Sequence, residues 1–340
     1  YYHFNSISIM RKGFLMMAAV AAVFGTMSCR KDNVPSMNQG NANVPVDGER
    51  TELTVGIATE LTRSTTITAD DEVKVNNLQV FVFRGDALDA YGVADNASSV
   101  TVSCTKGDRE VYAVVNAPDL KDIATKTDLL AAKSALSDND ESNFVMFGKT
   151  TATLPSPLPV NVDVDRMVSK VVLKAVNRAF TSAALAALDF SIDEIFITNV
   201  AGDVNYGLTD NPVEWYNKLD YSSEMAMFTH DAPAASVVNE EAYSTQHTFY
   251  CYPNKAADSD AASWSPRRTR LVLKTTLGTD TYYYPVTLPE LENNKSYELE
   301  LTITRPGSDN ADMPVSFEDC AFEITVKPWT VVAVTDGIVI

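Results

Sequence analysis

The strongest constraint on this chain is an apolar period of two. Leu53, Val55 and Ile57 alternate with Thr54, Gly56 and Ala58. On an extended backbone that spacing gathers the apolar side chains on one face and predicts a half-buried strand. Strand-like runs recur over residues 73–83, 99–104, 110–115, 144–147, 150–154, 160–164, 168–175, 190–197, 246–252, 269–276, 281–286 and 297–304, divided by Gly, Pro, Asn and Asp. Short strands at such spacing predict a mainly all-β chain folded as antiparallel sandwiches, not a helical bundle. Residues 78–83, Leu-Gln-Val-Phe-Val-Phe, are apolar enough for the middle of a sheet. Residues 120–136 break the pattern: rich in Ala, Leu, Lys and Asp, they predict one or two short helices.

With 340 residues there is room for two domains. Pro155-Ser-Pro157-Leu-Pro159 is the clearest hinge and predicts a first sandwich over 51–157, a second over 158–304, and a loop with further strands over 305–340. Residues 201–245, with Trp215, Tyr216 and Tyr221, form a long excursion without assignable pattern. Such stretches often carry function.

The first fifty residues read as an address and a tether. Arg11 and Lys12 precede an apolar run over 14–27, shorter than the roughly 20 helical residues that cross a bilayer, and the pattern is that of a signal peptide. Met10 reads as the start, with 1–9 upstream of it. Ser28-Cys29 closes the run as a lipobox does, which predicts diacylation of the Cys29 thiol; Thr26 and Met27 fit only the relaxed form seen in Bacteroidota. The other reading is an ordinary signal peptide with a chance cysteine. Residues 30–50 hold Asn, Pro, Gly, Ser and Asp with isolated valines, which predicts a flexible tether.

The far end is unusual. Strand-like alternation continues over 321–327, past Pro328, through 329–334 and again over 336–340, with Phe322, Ile324 and Val326 on one face. Most domains finish in a polar tail, whereas an unpaired apolar strand invites pairing with another chain. Pro328 would kink this tail into two strands. At the other end, the strand from Thr51 is followed by a polar loop holding Arg63, so one cut after Arg63 frees it. Its loss would uncover β-branched side chains worth about 1.5–3 kcal/mol each when buried, and two rows of backbone groups needing partners. The C-terminal tail of a second copy has the length and alternation to refill that groove, which is β-augmentation in its donor-strand form.

Other chemistries find little footing. Lys and Arg total 27 against 45 Asp and Glu, a net charge of −18, so nucleic acid is not an expected partner. Three histidines (His3, His230, His247) and no CxxC spacing leave little for a metal or a His-based centre, and no cofactor is expected. Cys104, Cys251 and Cys320 read as buried small hydrophobes. Phe147-Gly-Lys-Thr150 is like the end of a P-loop, but Asn143 stands where the first glycine is required. No G-x-S-x-G occurs. Asp138-Asn-Asp-Glu141 lacks the glycine and spaced glutamate of a calcium loop. Tyr282-Tyr-Tyr284 and Trp215-Tyr216 could stack on sugars, although strand aromatics ordinarily pair across a sheet. The chain reads as a non-enzyme.

Several segments, in this order and spacing, carry a family resemblance. They are the signal with Cys29, the first strand, the loop with Thr62-Arg63, residues 78–83, Arg109-Glu-Val-Tyr-Ala-Val-Val-Asn-Ala-Pro118, Glu292-Asn-Asn-Lys-Ser-Tyr-Glu-Leu-Glu-Leu-Thr-Ile-Thr304, Gly307-Ser308 and Phe322-Glu-Ile-Thr-Val-Lys-Pro-Trp329. From Cys29 onward the chain resembles the fimbrillins of Bacteroidales, the shaft pilins of type V fimbriae. The resemblance implies two transthyretin-like Greek-key β-sandwiches and export as a lipoprotein to the outer membrane. It also implies excision of the first strand by an arginine-specific protease and polymerisation through the C-terminal strands. Carried over, Arg63 precedes the cut, residues 52–61 are the excised strand, and Arg50, in the tether, is the competing site. Phe322, Ile324, Val326, Trp329, Val331 and Val334 become donor-strand anchors. Expected partners are other copies, related anchor and tip subunits, the protease, the outer membrane through the precursor's lipid, and a host surface protein or glycan. Having both a cleavage loop and a tail, the chain reads as a shaft or adaptor subunit of a cell-surface fimbrium. The alternative is a surface lipoprotein that never polymerises and binds glycan or host protein through its loops.

Overall fold

The computed structural model describes residues 48–58, 71–316 and 319–329. The expectations for the signal segment with Cys29, most of the tether, Arg63, Val331 and Val334 lie outside these residues.

The N-terminal half contributes β1 (Arg50–Ala58), β2 (Asn77–Arg84), β3 (Ala87–Asp95), β4 (Ser99–Thr105), β5 (Gly107–Val115), α1 (Lys126–Ala131), β6 (Met146–Leu154) and β7 (Val160–Asp163). One sheet has the order β4-β1-β7; the other runs β3-β2-β5-β6. Leu78, Val80 and Val82 of β2 join Leu53, Val55 and Ile57 of β1 in one buried cluster between the sheets. Phe81 and Phe83, on the opposite face of β2, pack with Tyr112, Leu129 and Phe144 instead. Burial of both faces explains why β2 reads as an unbroken apolar run. In the insertion, Thr125 caps α1 by accepting from the Asp128 N–H at 3.0 Å and donating to its carboxylate at 2.6 Å.

Residues 144–154, which read as two strands around a turn, hold the single strand β6, and Gly148-Lys-Thr150 lies inside it. The glycine serves packing: a Cβ there would sit 1.9 Å from the Asp163 carbonyl oxygen.

The second half contributes β8 (Ser169–Arg178), β9 (Phe190–Thr198), β10 (His247–Cys251), β11 (Arg270–Leu277), β12 (Asp280–Thr287), β13 (Lys295–Ile303) and β14 (Cys320–Pro328). β8 lies between β10, antiparallel, and β13, parallel; β14 adds antiparallel to β13 as the edge. β9, β11 and β12 form another sheet, and the β11–β12 hairpin turns through Gly278 at φ +63°. Val171, Leu173, Ile195, Leu271, Leu273, Leu299 and Leu301 are fully buried in a common cluster. The unassigned excursion holds short bridges: Trp215–Tyr216 pairs with Val200–Ala201, and His230–Asp231 with β9.

One boundary differs from the expectation. Residues 160–163 were expected to open the second sandwich, but β7 pairs in parallel with β1, Val55 opposite Val160 and Ala58 opposite Asp163. The proline-rich stretch therefore carries the chain from one sheet of the first sandwich to the other, and the second begins at β8. A parallel partner is always distant in sequence, so local pattern could not reveal it.

Candidate functional site: a strand in a slot

β1 fills a slot. Seven residue pairs join it to β4, from Arg50 opposite Thr105 to Gly56 opposite Ser99, and four join it to β7. Leu53, Val55 and Ile57 are only 2%, 0% and 6% exposed and form part of the cluster with Val80, Val82, Val102, Cys104 and Val162. On the other face the Thr54 and Thr101 hydroxyls hydrogen-bond at 2.9 Å. A Cβ on Gly56 would come within 2.8 Å of Asn161 Oδ1, so β7 closes tightly over this strand. Without β1, β4 and β7 would face each other across an apolar floor, each with a row of unpaired backbone donors and acceptors.

The wall of the slot is braced independently of β1. Arg109 of β5 donates from Nε to Asp89 Oδ2 at 2.7 Å, and the backbone and hydroxyl of Thr105 on β4 donate to the same oxygen at 2.8 Å each. Asp89 and Arg109 are buried, so this ion pair ties β3, β4 and β5 together at the Arg50 end. Beside it the Cys104 thiol is pushed up to about 11, by burial first and by Asp89 second, against opposing effects of Arg109 and Arg50. The thiol is therefore neutral and shielded while β1 is in place. Cys251 and Cys320 are also buried and free.

The structure also places Arg50 and the expected donor residues before assembly. Arg50 is not in a free tether: it is the first ladder residue of β1, and its guanidinium donates to the Ser103 hydroxyl at 3.2 Å and to the Ser103 carbonyl. The tether's polar composition gave no hint that the ladder reaches this far. The tail is placed as follows. Phe322 and Ile324 are half-buried against their own sandwich, Val326 is 50% exposed on the same strand, and Trp329 is buried beyond its end. All four residues thus lie on their own subunit, because β14 pairs along its whole length with β13, from Ile303 opposite Cys320 to Lys295 opposite Pro328. Pro328 ends this ladder.

Glu72, Arg166 and Tyr250, which sequence reasoning did not single out, surround Trp329. Burial alone would raise the Glu72 pKa, but Lys170, Tyr250 and the Trp329 N–H together hold it below the ordinary glutamate value. No local signal marks these residues, since they come from three distant segments.

The remaining candidates serve local structure. Asp138 Oδ2 accepts from the Ala135 N–H, and Asp140 Oδ1 from Ser142, each closing its own turn. His230 bonds Glu194 and stacks on Tyr221, while His247 bridges Asp231 and Tyr243. Tyr284 and Trp215 are buried. Among the described residues no group of three or more His, Cys, Asp or Glu is placed to hold a metal ion.

Comparison with known proteins points the same way. The family model of the major fimbrial subunit protein FimA matches residues 50–162, the stretch from the start of β1 into β7. The major fimbrium subunit FimC of Porphyromonas gingivalis is 24% identical over 97% of this chain and 72% of its own length. FimA type-2 of the same species is 21% identical over 95% of this chain and 98% of its own. The chain is similar to the fimbrillins. A Porphyromonas gingivalis W83 fimbrilin structure superposes with a TM-score of 0.59 at 17% identity, covering 83% of this chain and 98% of that one. A candidate cell adhesion protein of Bacteroides eggerthii gives 0.64 at 21%, covering 85% and 98%. The fimbrillin fold is thus common to both sandwiches, and β1 with its partners β4 and β7 falls at residues 50–163, almost all of it within the stretch that the family model matches.

Proposed function

We propose that this chain is a structural subunit of a cell-surface fimbrium, assembled by exchanging β1 for a strand from another copy. The observation that carries the reading is β1 itself: a buried central strand, between a tether and the loop with Arg63, whose slot is braced without it. In this reading the precursor is exported with a lipid on Cys29. An arginine-specific protease cuts after Arg63, and residues 52–61 leave with the tether. Arg50 is the weaker site, because its backbone is paired and a cut there would leave the slot filled. The donor is residues 330–340, with Val331 and Val334 among its apolar positions. These eleven residues are enough to cover the nine of β1. Phe322, Ile324, Val326 and Trp329 stay behind.

The test is limited tryptic cleavage of the uncut chain, followed by electrophoresis without boiling. A ladder that forms only after loss of the N-terminal strand is expected. Arg63→Ala should leave an uncut monomer, and deletion of residues 330–340 should abolish the ladder without unfolding the monomer. An N-terminus at Thr51 in the polymer, or a ladder from the deleted chain, would refute the assignment. A cut chain that stays monomeric would favour the loop-binding lipoprotein.

A further inference from the structure

Trp329 follows an exposed edge strand yet is only 4% exposed. The Arg166 guanidinium lies 4.4 Å from its ring centroid, Tyr250 stacks on it at 5.6 Å, and Phe144 meets it edge-on at 5.5 Å. The indole Nε1 donates to Glu72 Oε2 at 2.8 Å, while Oε1 of that carboxylate accepts from Lys170 at 2.6 Å and from the Tyr250 hydroxyl at 2.7 Å. The Trp329 backbone is held too: its N–H donates to the Asn294 carbonyl at 3.0 Å and its own carbonyl accepts from Arg166 Nη1 at 3.1 Å. Ring, indole N–H and both backbone groups are thus engaged by residues from both halves of the chain. Extracting the residue would break all of these contacts at once, in a buried setting where unmade polar contacts are costly.

Every one of these partners lies C-terminal to Arg63. Glu72, Phe144, Arg166, Lys170, Tyr250 and Asn294 all remain on the subunit after β1 is cut away. Maturation therefore leaves the socket whole.

We propose that Trp329 is a positioning residue, the pivot from which the donor tail leaves: it stays in its own socket before and after assembly, and only residues beyond it cross to the neighbour. This rests on the strand-exchange reading above. It also sets where the joint begins: the crossing segment starts at residue 330, directly after the pivot.

The experiment uses the chain with Trp215→Phe and Trp264→Phe, so that Trp329 is the sole tryptophan, as intact monomer, cut monomer and polymer. Acrylamide quenching of Trp329 should be weak and equal in all three, and Glu72→Gln should shift its emission alike in monomer and polymer. Quenching that rises on cutting, or polymer emission indifferent to Glu72→Gln, overturns the pivot. In the unaltered chain, amide-exchange protection of residues 320–329 should be the same in monomer and polymer; lost protection in either cut form overturns it equally. Trp329→Ala should lower polymer yield at least tenfold in a monomer whose β1 slot is intact, and Trp329→Phe should restore most of it; unchanged yield with Ala refutes the role. Ladder formation by the parent separates the two claims: no ladder removes strand exchange and the pivot together, whereas a ladder with a displaced Trp329 removes the pivot alone.

Discussion

Leu53→Ala puts a number on the idea that β1 is a vacatable strand. Leu53 is 2% exposed and faces the first sandwich's core opposite Val102. Truncating a leucine in such a place costs about 2–5 kcal/mol, the lost transfer energy plus that of the cavity. With a urea slope of about 3 kcal/mol/M, the midpoint of the intact chain should fall by about 1 M. That loss is tolerable because β1 contributes through three buried side chains, together about 5–9 kcal/mol, of a domain stability of about 5–15 kcal/mol. The assay is urea denaturation followed by far-ultraviolet circular dichroism, on intact precursor and on assembled polymer made from each variant. In the polymer, Leu53 has left with the excised strand, so parent and variant should dissociate at the same denaturant concentration. An unchanged midpoint in the intact chain would show that β1 does not support the core. Polymers weakened by the substitution would show that β1 is still present in them, and strand exchange would fall.

Two further outcomes follow from the same geometry. Cys104 should resist thiol-directed alkylation at neutral pH in the intact chain, since burial pushes its pKa up to about 11. It should react within minutes once β1 is cut away and become protected again in the polymer, as read by peptide mass spectrometry; reactivity equal in intact and cut forms would mean that β1 does not cover it. Glu72 has a folded-state pKa below its ordinary value of 4.5. Its contribution is therefore fully present above about pH 4.5 and is lost as pH falls through the depressed folded value. Acid titration should loosen Trp329 below that range, visible as a red shift of its emission. Glu72→Gln should flatten that step, and a step that persists in Glu72→Gln would assign it to another group.

Local chemistry already determined much of this protein. Alternation at Leu53, Val55 and Ile57, the apolar run of β2 and the Gly278 turn each specify their element within a few residues, because side-chain direction and turn geometry are short-range properties. Partner choice is different. That β1 lies between β4 and a parallel β7 from beyond Pro159, that Arg50 joins the ladder, and that Phe322 and Ile324 lie on their own sandwich all depend on which distant strand wins a shared edge. The Trp329 socket is the extreme case. Its members stand at Glu72, Phe144, Arg166, Lys170, Tyr250 and Asn294, with no period or spacing to connect them. Only the packing of the two halves against each other brings an indole, a guanidinium and a carboxylate into contact, so the strands are inscribed in the sequence while the slot and the pivot exist only once the chain has folded.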